Sequence, residues 1–151
     1  MGAINENLII YGVNAENAED AITQVGALLL GGGYVKETYI PAVAARESEY
    51  PTGLQLKNIG VAMPHTSGIH VITPAVCVAK LSKPVEFGHM GDPDTKVQAE
   101  LLFLMAIKNP DEQLETLQKV MGVFTNDEAI KKISNAANKM ELYEAAKAYI
   151  G

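Results

Sequence analysis

At 151 residues, 48% hydrophobic and 20% charged, the chain can bury a substantial core, which excludes a disordered protein and predicts one domain over 1–151. A net charge of −6 and a pI near 5.0 exclude a general nucleic-acid binder. With Cys77 as its one cysteine, the chain forms no intrachain disulfide and no thiolate zinc site.

The opening MGAINENLIIYG has no basic region and no long apolar run, so no signal peptide is expected. No apolar run approaches the ~18 residues of a short spanning helix. A cytoplasmic protein without membrane insertion follows. Asn14 is the expected cap of a first helix, with Ala18, Ala21, Ile22, Val25, Leu28 and Leu29 at helical spacing. Gly31-Gly32-Gly33 stops it, because glycine accepts the left-handed conformation. A second helix starts at Thr38 and tolerates Pro41 in its first turn, where a missing N–H is no loss. It ends before Pro51, and Thr52-Gly53 turns the chain.

Strands are expected over 54–57, 60–64 and 75–82, separated by loops of Gly, Ser and Pro. The run LLFLMAI (101–107) has no alternation, which suits a central strand covered on both faces. In NPDE (109–112), Asn109 reads as a cap, Pro110 as the first helical residue and Glu112 as the capping-box partner. Leu114, Leu117, Val120, Met121 and Phe124 form that helix's apolar stripe. Helices over 126–134 and 138–149 close the chain, the last with an Asn138-x-x-Glu141 start. This order predicts an α/β three-layer sandwich, a mixed sheet flanked by helices on both faces.

His65 stands out in GVAMPHTSGIH (60–70). Pro64 cannot donate to a sheet ladder, so the strand ends there and releases His65 at its tip. An imidazole is neutral and nucleophilic or protonated near neutral pH, and Thr66, Ser67 and Gly68 leave backbone amides free around it. In RESEYPTG (46–53), Arg46 falls on one helical face with Tyr39, Val43 and Tyr50. Its planar fork suits a carboxylate or phosphate; the alternatives are a helix-end role or pairing with Glu47 or Glu49. His70, five residues after His65, is too far for helical metal-ligand pairing, and no metal or cofactor is expected. His89 reads as a solvated loop residue. Gln113 either bonds a catalytic group or is a polar residue satisfied by backbone. No nucleotide-binding glycine loop and no nucleophile elbow is present. A histidine, an arginine and small polar loop residues fit a protein that accepts a phosphoryl group on histidine and passes it on.

IGVAMPHT (59–66) resembles the active-histidine segment of fructose/mannitol-type IIA proteins of the bacterial phosphoenolpyruvate-dependent sugar phosphotransferase system. The Arg46-Glu47, Thr52-Gly53 and Ala62-Met63-Pro64-His65 order is similar to the family's. ARESEYPTG, PHTSGIH and KNPDEQLETLQKVMG resemble the galactitol-type branch. The resemblance implies that His65 takes phosphate from the phosphocarrier HPr and gives it to a IIB partner, with a membrane IIC component choosing the sugar. It implies that Arg46 steadies the phosphoryl group and that Thr52 lies in the same pocket. Gln113 stands where mannitol-type members carry a second histidine; His70 either takes that part or only packs against the next strand. Thr66 stands where a small residue is usual. The alternatives are a regulatory IIA-like protein that signals by phosphorylation-dependent binding, and a non-catalytic domain of the same fold.

Overall fold

The computed structural model describes residues 4–151; the first three residues of the stretch read for a signal peptide lie outside them. The elements in chain order are β1 (Ile9–Val13), α1 (Ala18–Gly31), α2 (Tyr39–Glu49), β2 (Gly53–Gln55), β3 (Gly60–Ala62), β4 (Ala75–Gly88), β5 (Lys96–Ala106), α3 (Leu114–Phe124), α4 (Asp127–Ser134) and α5 (Lys139–Ile150). The strands form one mixed sheet in the order β1-β4-β5-β3-β2. The β1–β4 and β3–β5 pairs are parallel; β4–β5 and β2–β3 are antiparallel.

The apolar run in β5 explains the layering. Leu102, Leu104 and Ala106 face the core built with α1 and α2. Leu101, Phe103 and Met105 face the core built with α3, α4 and α5. Both faces are dry, as the lack of alternation predicts. Each large side chain buried this way contributes about 1.5–3 kcal/mol. No helix among the described residues is long and apolar enough to cross a membrane.

Several boundaries differ from expectation. The cap of α1 is Asn17, whose side chain accepts from Asp20 N–H at 2.8 Å; Asn14 instead offers its carbonyl to Gln24. β1 is a strand the sequence reading did not name. β4 runs on to Gly88 and β5 begins at Lys96, so two long arms pair beyond the dry core (Val85–Ala99, Phe87–Val97). The expected strands, 75–82 and the run at 101–107, stop short of these arms. In NPDE, Asn109 caps a turn and not the helix proper. Its side chain accepts from Asp111 N–H, and Gln113, not Glu112, reaches back to Asn109 N–H at 2.8 Å. α3 therefore starts one turn later, at Leu114. The Asn138 cap of α5 forms as predicted, and Asn126 caps α4 in the same way.

Tyr39, fully buried, donates its hydroxyl to the Met105 carbonyl at 2.7 Å. Burial holds its phenol protonated. Met105 N–H in turn bonds the Pro64 carbonyl at 3.0 Å. The start of α2, the centre of the sheet and the segment carrying His65 are thereby joined.

Candidate functional site

β3 and β5 run parallel, so their carboxyl ends lie at the same edge of the sheet. Such an edge is where open α/β sheets present their sites. His65 follows β3 there and Lys108 follows β5. The two residues line a cleft of about 540 Å³ together with Thr66, Ser67, Gly68 and Leu117. Lys108 is the only side chain there besides the imidazole that can carry charge. It was not singled out from sequence, although its place directly after the central strand was a usable signal.

The His65 ring is half-buried, and its Nδ1 lies 2.9 Å from the Met63 carbonyl. A carbonyl only accepts, so Nδ1 carries the proton and donates it. Nε2 is left with the free lone pair. The neutral ring is thus presented as a nucleophile at one defined nitrogen.

Met63 is itself held. Its N–H donates to Thr52 Oγ1 at 3.2 Å. The β2–β3 ladder ends one pair earlier, at Gly53 and Ala62, and the threonine hydroxyl supplies the next acceptor. Thr52 is buried. It donates its N–H to Glu47 Oε2 and its hydroxyl to Glu47 Oε1, both at 2.8 Å. Thr52 therefore stands behind the histidine, spent on Glu47 and Met63, and does not line the cleft.

Arg46 and Glu47 exchange the places that periodicity suggests. The buried side of α2 runs Tyr39, Val43, Glu47, a repeat of four that the sequence reading continued to Arg46. Arg46 is exposed, with its guanidinium 5.4 Å from the Tyr50 ring centroid. No carboxylate lies within ion-pair distance of it among the described residues. Such an exposed cation–π contact is worth about 0.5–1 kcal/mol, too little to prevent the guanidinium from turning to an arriving anion. Glu47 is the buried charge of the pair. Burial pushes its carboxyl up to about 7, against the opposing effect of Thr52's two hydrogen bonds and the Arg46 charge.

The remaining candidates divide. Thr66, Ser67 and Gly68 border the cleft, and a short 3-10 turn, Gly68–His70, follows. His70 Nδ1 is 2.7 Å from Thr38 Oγ1, and no hydrogen bond joins it to His65. The bond ties the His65 loop to the amino end of α2. His70→Ala is therefore expected to phosphorylate at nearly the wild-type rate and to lose about 1 kcal/mol of stability, the worth of one neutral hydrogen bond. Denaturant unfolding beside a labelling time course checks both halves; a slow variant of wild-type stability would return His70 to the chemistry. Gln113 is engaged in its own turn, and His89 accepts from Gly91 N–H in the β4–β5 loop. Cys77 lies in the core, its thiol pushed up to about 12 by burial. A second cleft of about 530 Å³, lined by Lys57, Glu100, Asp127 and Lys131, offers charge but no histidine or cysteine.

The galactitol-specific EIIA component of Escherichia coli strain K12 is 28% identical over 122 residues, 81% of each chain. The solution structure of the mannitol-specific cryptic phosphotransferase enzyme IIA from Escherichia coli superposes with a TM-score of 0.81 at 20% identity. It covers 97% of this chain and 96% of that one. The IIA protein in the complex of mannitol enzyme IIA with phosphorylated enzyme IIB from Escherichia coli gives 0.76 at 23% identity, over 96% and 97%. Both share the α/β sandwich described above. The profile of the phosphoenolpyruvate-dependent sugar phosphotransferase system EIIA 2 family matches residues 3–148, and the chain belongs to that family.

Proposed function

We propose that the chain is a single cytoplasmic IIA domain that accepts a phosphoryl group from HPr on His65 Nε2. It then delivers the group to a IIB component, for uptake and phosphorylation of galactitol through a membrane IIC component. The observation that carries this reading is the Nδ1–Met63 bond, which leaves Nε2 of a cleft-lining histidine as a free nucleophile. The galactitol assignment rests on the galactitol-specific relative, 28% identical and matched over 81% of its own length. The mannitol complex pairs an enzyme IIA with a phosphorylated enzyme IIB, which supports a IIB component as the partner that receives the group.

The step balances without a metal. The Nε2 lone pair forms a bond to phosphorus as the phosphorus–nitrogen bond to the donor's histidine breaks, and the donor nitrogen keeps the bonding pair. Charge on the three phosphoryl oxygens calls for hydrogen-bond donors and cations beside the cleft, because the transfer is helped chiefly by positioning and electrostatic stabilisation. The cleft is open, and Ile69, 70% exposed, lines it. Such apolar surface suits docking of another protein.

The phosphoryl oxygens have two cations within the architecture, Lys108 in the cleft and Arg46 on α2. Arg46→Lys keeps the charge and loses the bidentate fork; Lys108→Ala removes a charge and no buried contact. We expect both variants to fold. Each should label more slowly from phosphoenolpyruvate, enzyme I and HPr, within the roughly 100-fold that losing one oxyanion donor costs. Quenched time courses of acid-labile phosphate give the rates. A wild-type rate in Arg46→Lys would leave Arg46 a helix-end role, and a wild-type rate in Lys108→Ala would remove the lysine from the site.

A further inference from the structure

Glu47 is a buried carboxylate that the transfer chemistry above leaves unused. Its two oxygens accept the N–H and the hydroxyl of Thr52 at 2.8 Å each. Thr52 Oγ1 accepts Met63 N–H at 3.2 Å, and the Met63 carbonyl accepts from His65 Nδ1 at 2.9 Å. The other side of this segment is fixed by Met105 N–H on the Pro64 carbonyl. Met63 is therefore clamped at both neighbouring peptide groups, and the direction of its carbonyl depends on Thr52 being held in place.

We propose that Glu47 is a positioning residue for the transfer: acting through Thr52 and Met63, its ionised carboxylate keeps His65 in the Nδ1–H tautomer, with Nε2 free to attack phosphorus. The proposal rests on the reading of His65 as phosphoryl acceptor and explains why an acidic residue sits on the buried stripe of α2. A hydroxyl that donates to a carboxylate is held in one rotamer, so its lone pair points at Met63 N–H. A neutral acid or amide at position 47 offers only one good acceptor to two Thr52 donors. The hydroxyl is then free to turn, and the tautomer loses its support.

The chain of bonds is also sensitive to pH. The Glu47 carboxyl is pushed up to about 7 by burial. Beyond Thr52, the charges around it are Arg46 on its own helix, and Glu19 of α1, Glu86 of β4 and Lys96 of β5 in the shallow cleft that it borders. Glu47 takes up a proton as pH falls through about 7, so the tautomer is most secure above that value. Support is lost below it.

The test uses the full chain as wild type, Glu47→Gln, Thr52→Ser and Thr52→Ala. Nitrogen-15 NMR of the imidazole reads the His65 tautomer, and labelling by HPr reads the rate, both at pH 6 and pH 8. Wild type and Thr52→Ser are expected to hold the Nδ1–H form at pH 8. Glu47→Gln and Thr52→Ala should shift population to the Nε2–H form and transfer about tenfold more slowly, as when an outer partner of a reacting histidine is lost. The wild-type rate should fall between pH 8 and pH 6 by a factor that Glu47→Gln does not show. A wild-type tautomer and rate in Glu47→Gln overturn the proposal. If that variant does not fold, equal tautomer populations in Thr52→Ser and Thr52→Ala overturn it. The tautomer is read without any phosphoryl donor, so absence of label on wild-type His65 counts against the acceptor role alone.

Discussion

His65→Ala is expected to abolish phosphorylation by HPr while leaving the fold and its stability nearly unchanged. The ring is half-buried at the rim of an open cleft, and its only hydrogen bond is to the Met63 carbonyl. Truncation opens no closed cavity, and water can satisfy the freed carbonyl. The stability change should stay within about 1 kcal/mol, the worth of one such bond. Under the proposed function, chemistry by contrast loses Nε2, the atom that takes the phosphoryl group. His70 and His89 remain in the variant as internal controls. The Nδ1 atom of His70 is bonded to Thr38 and that of His89 to Gly91, and neither residue lines the cleft that holds His65. Incubation with phosphoenolpyruvate, enzyme I and HPr, followed by intact mass before and after acid treatment, decides the matter. Label that persists in His65→Ala moves the acceptor to another residue, and an unfolded variant assigns His65 to the structure.

The parts of this molecule visible in its sequence are those governed by local rules. The strand before His65 was legible because Pro64 has no N–H to pair, although β3 stops at Ala62, two residues short of the expected end. Asn126 and Asn138 cap their helices because the donors they meet lie within three residues. β1 was missed because it is short and its edge is exposed. Only Ile9 and Val13 of its five residues are buried, and its ladder shifts register at Gly12, where φ is +88°. Two-residue alternation has no room to show itself there. The arms of β4 and β5 were missed because a hairpin extending past its core alternates polar with apolar over few residues.

The site divides in the same way. His65 and its small polar neighbours are contiguous, so their grouping was legible. Glu47 could be named only as an accompaniment to Arg46. Its partner Thr52 lies five positions onward, and Thr52 reaches Met63 only after β2 pairs with β3. The exchange of Arg46 and Glu47 between exposed and buried faces depends on how α2 is rolled against the sheet, and Tyr39 settles that roll by reaching Met105. Periodicity gives a stripe; it does not choose between adjacent residues at a helix end.

Gly68→Ala should produce a large loss of activity from a single added methyl group. Gly68 does not adopt a left-handed conformation, so backbone strain is not the reason. A Cβ at this position would stand 2.0 Å from the Lys108 carbonyl oxygen and 2.7 Å from its carbon. Both are backbone atoms at the end of β5, and neither can turn aside as a flexible side chain would. The loop must lift from the strand. Overpacking of this kind costs about 1–3 kcal/mol, and the displaced segment begins at His65 and forms the wall facing Lys108. The transfer rate should fall more than stability does, because a shift of even 1 Å in a reacting group costs roughly 100-fold. Gly122→Ala is the matched control. It lies in α3, exposed, with nothing within 4 Å of the added carbon. It should gain about 0.5–1 kcal/mol from helix propensity and keep its labelling rate. Wild-type stability and rate in Gly68→Ala would mean that the loop and β5 do not approach as closely as described. A loss of stability with no loss of rate would mean that the Gly68 wall is scaffold, and that His65 is held by the Met63 and Thr52 bonds alone.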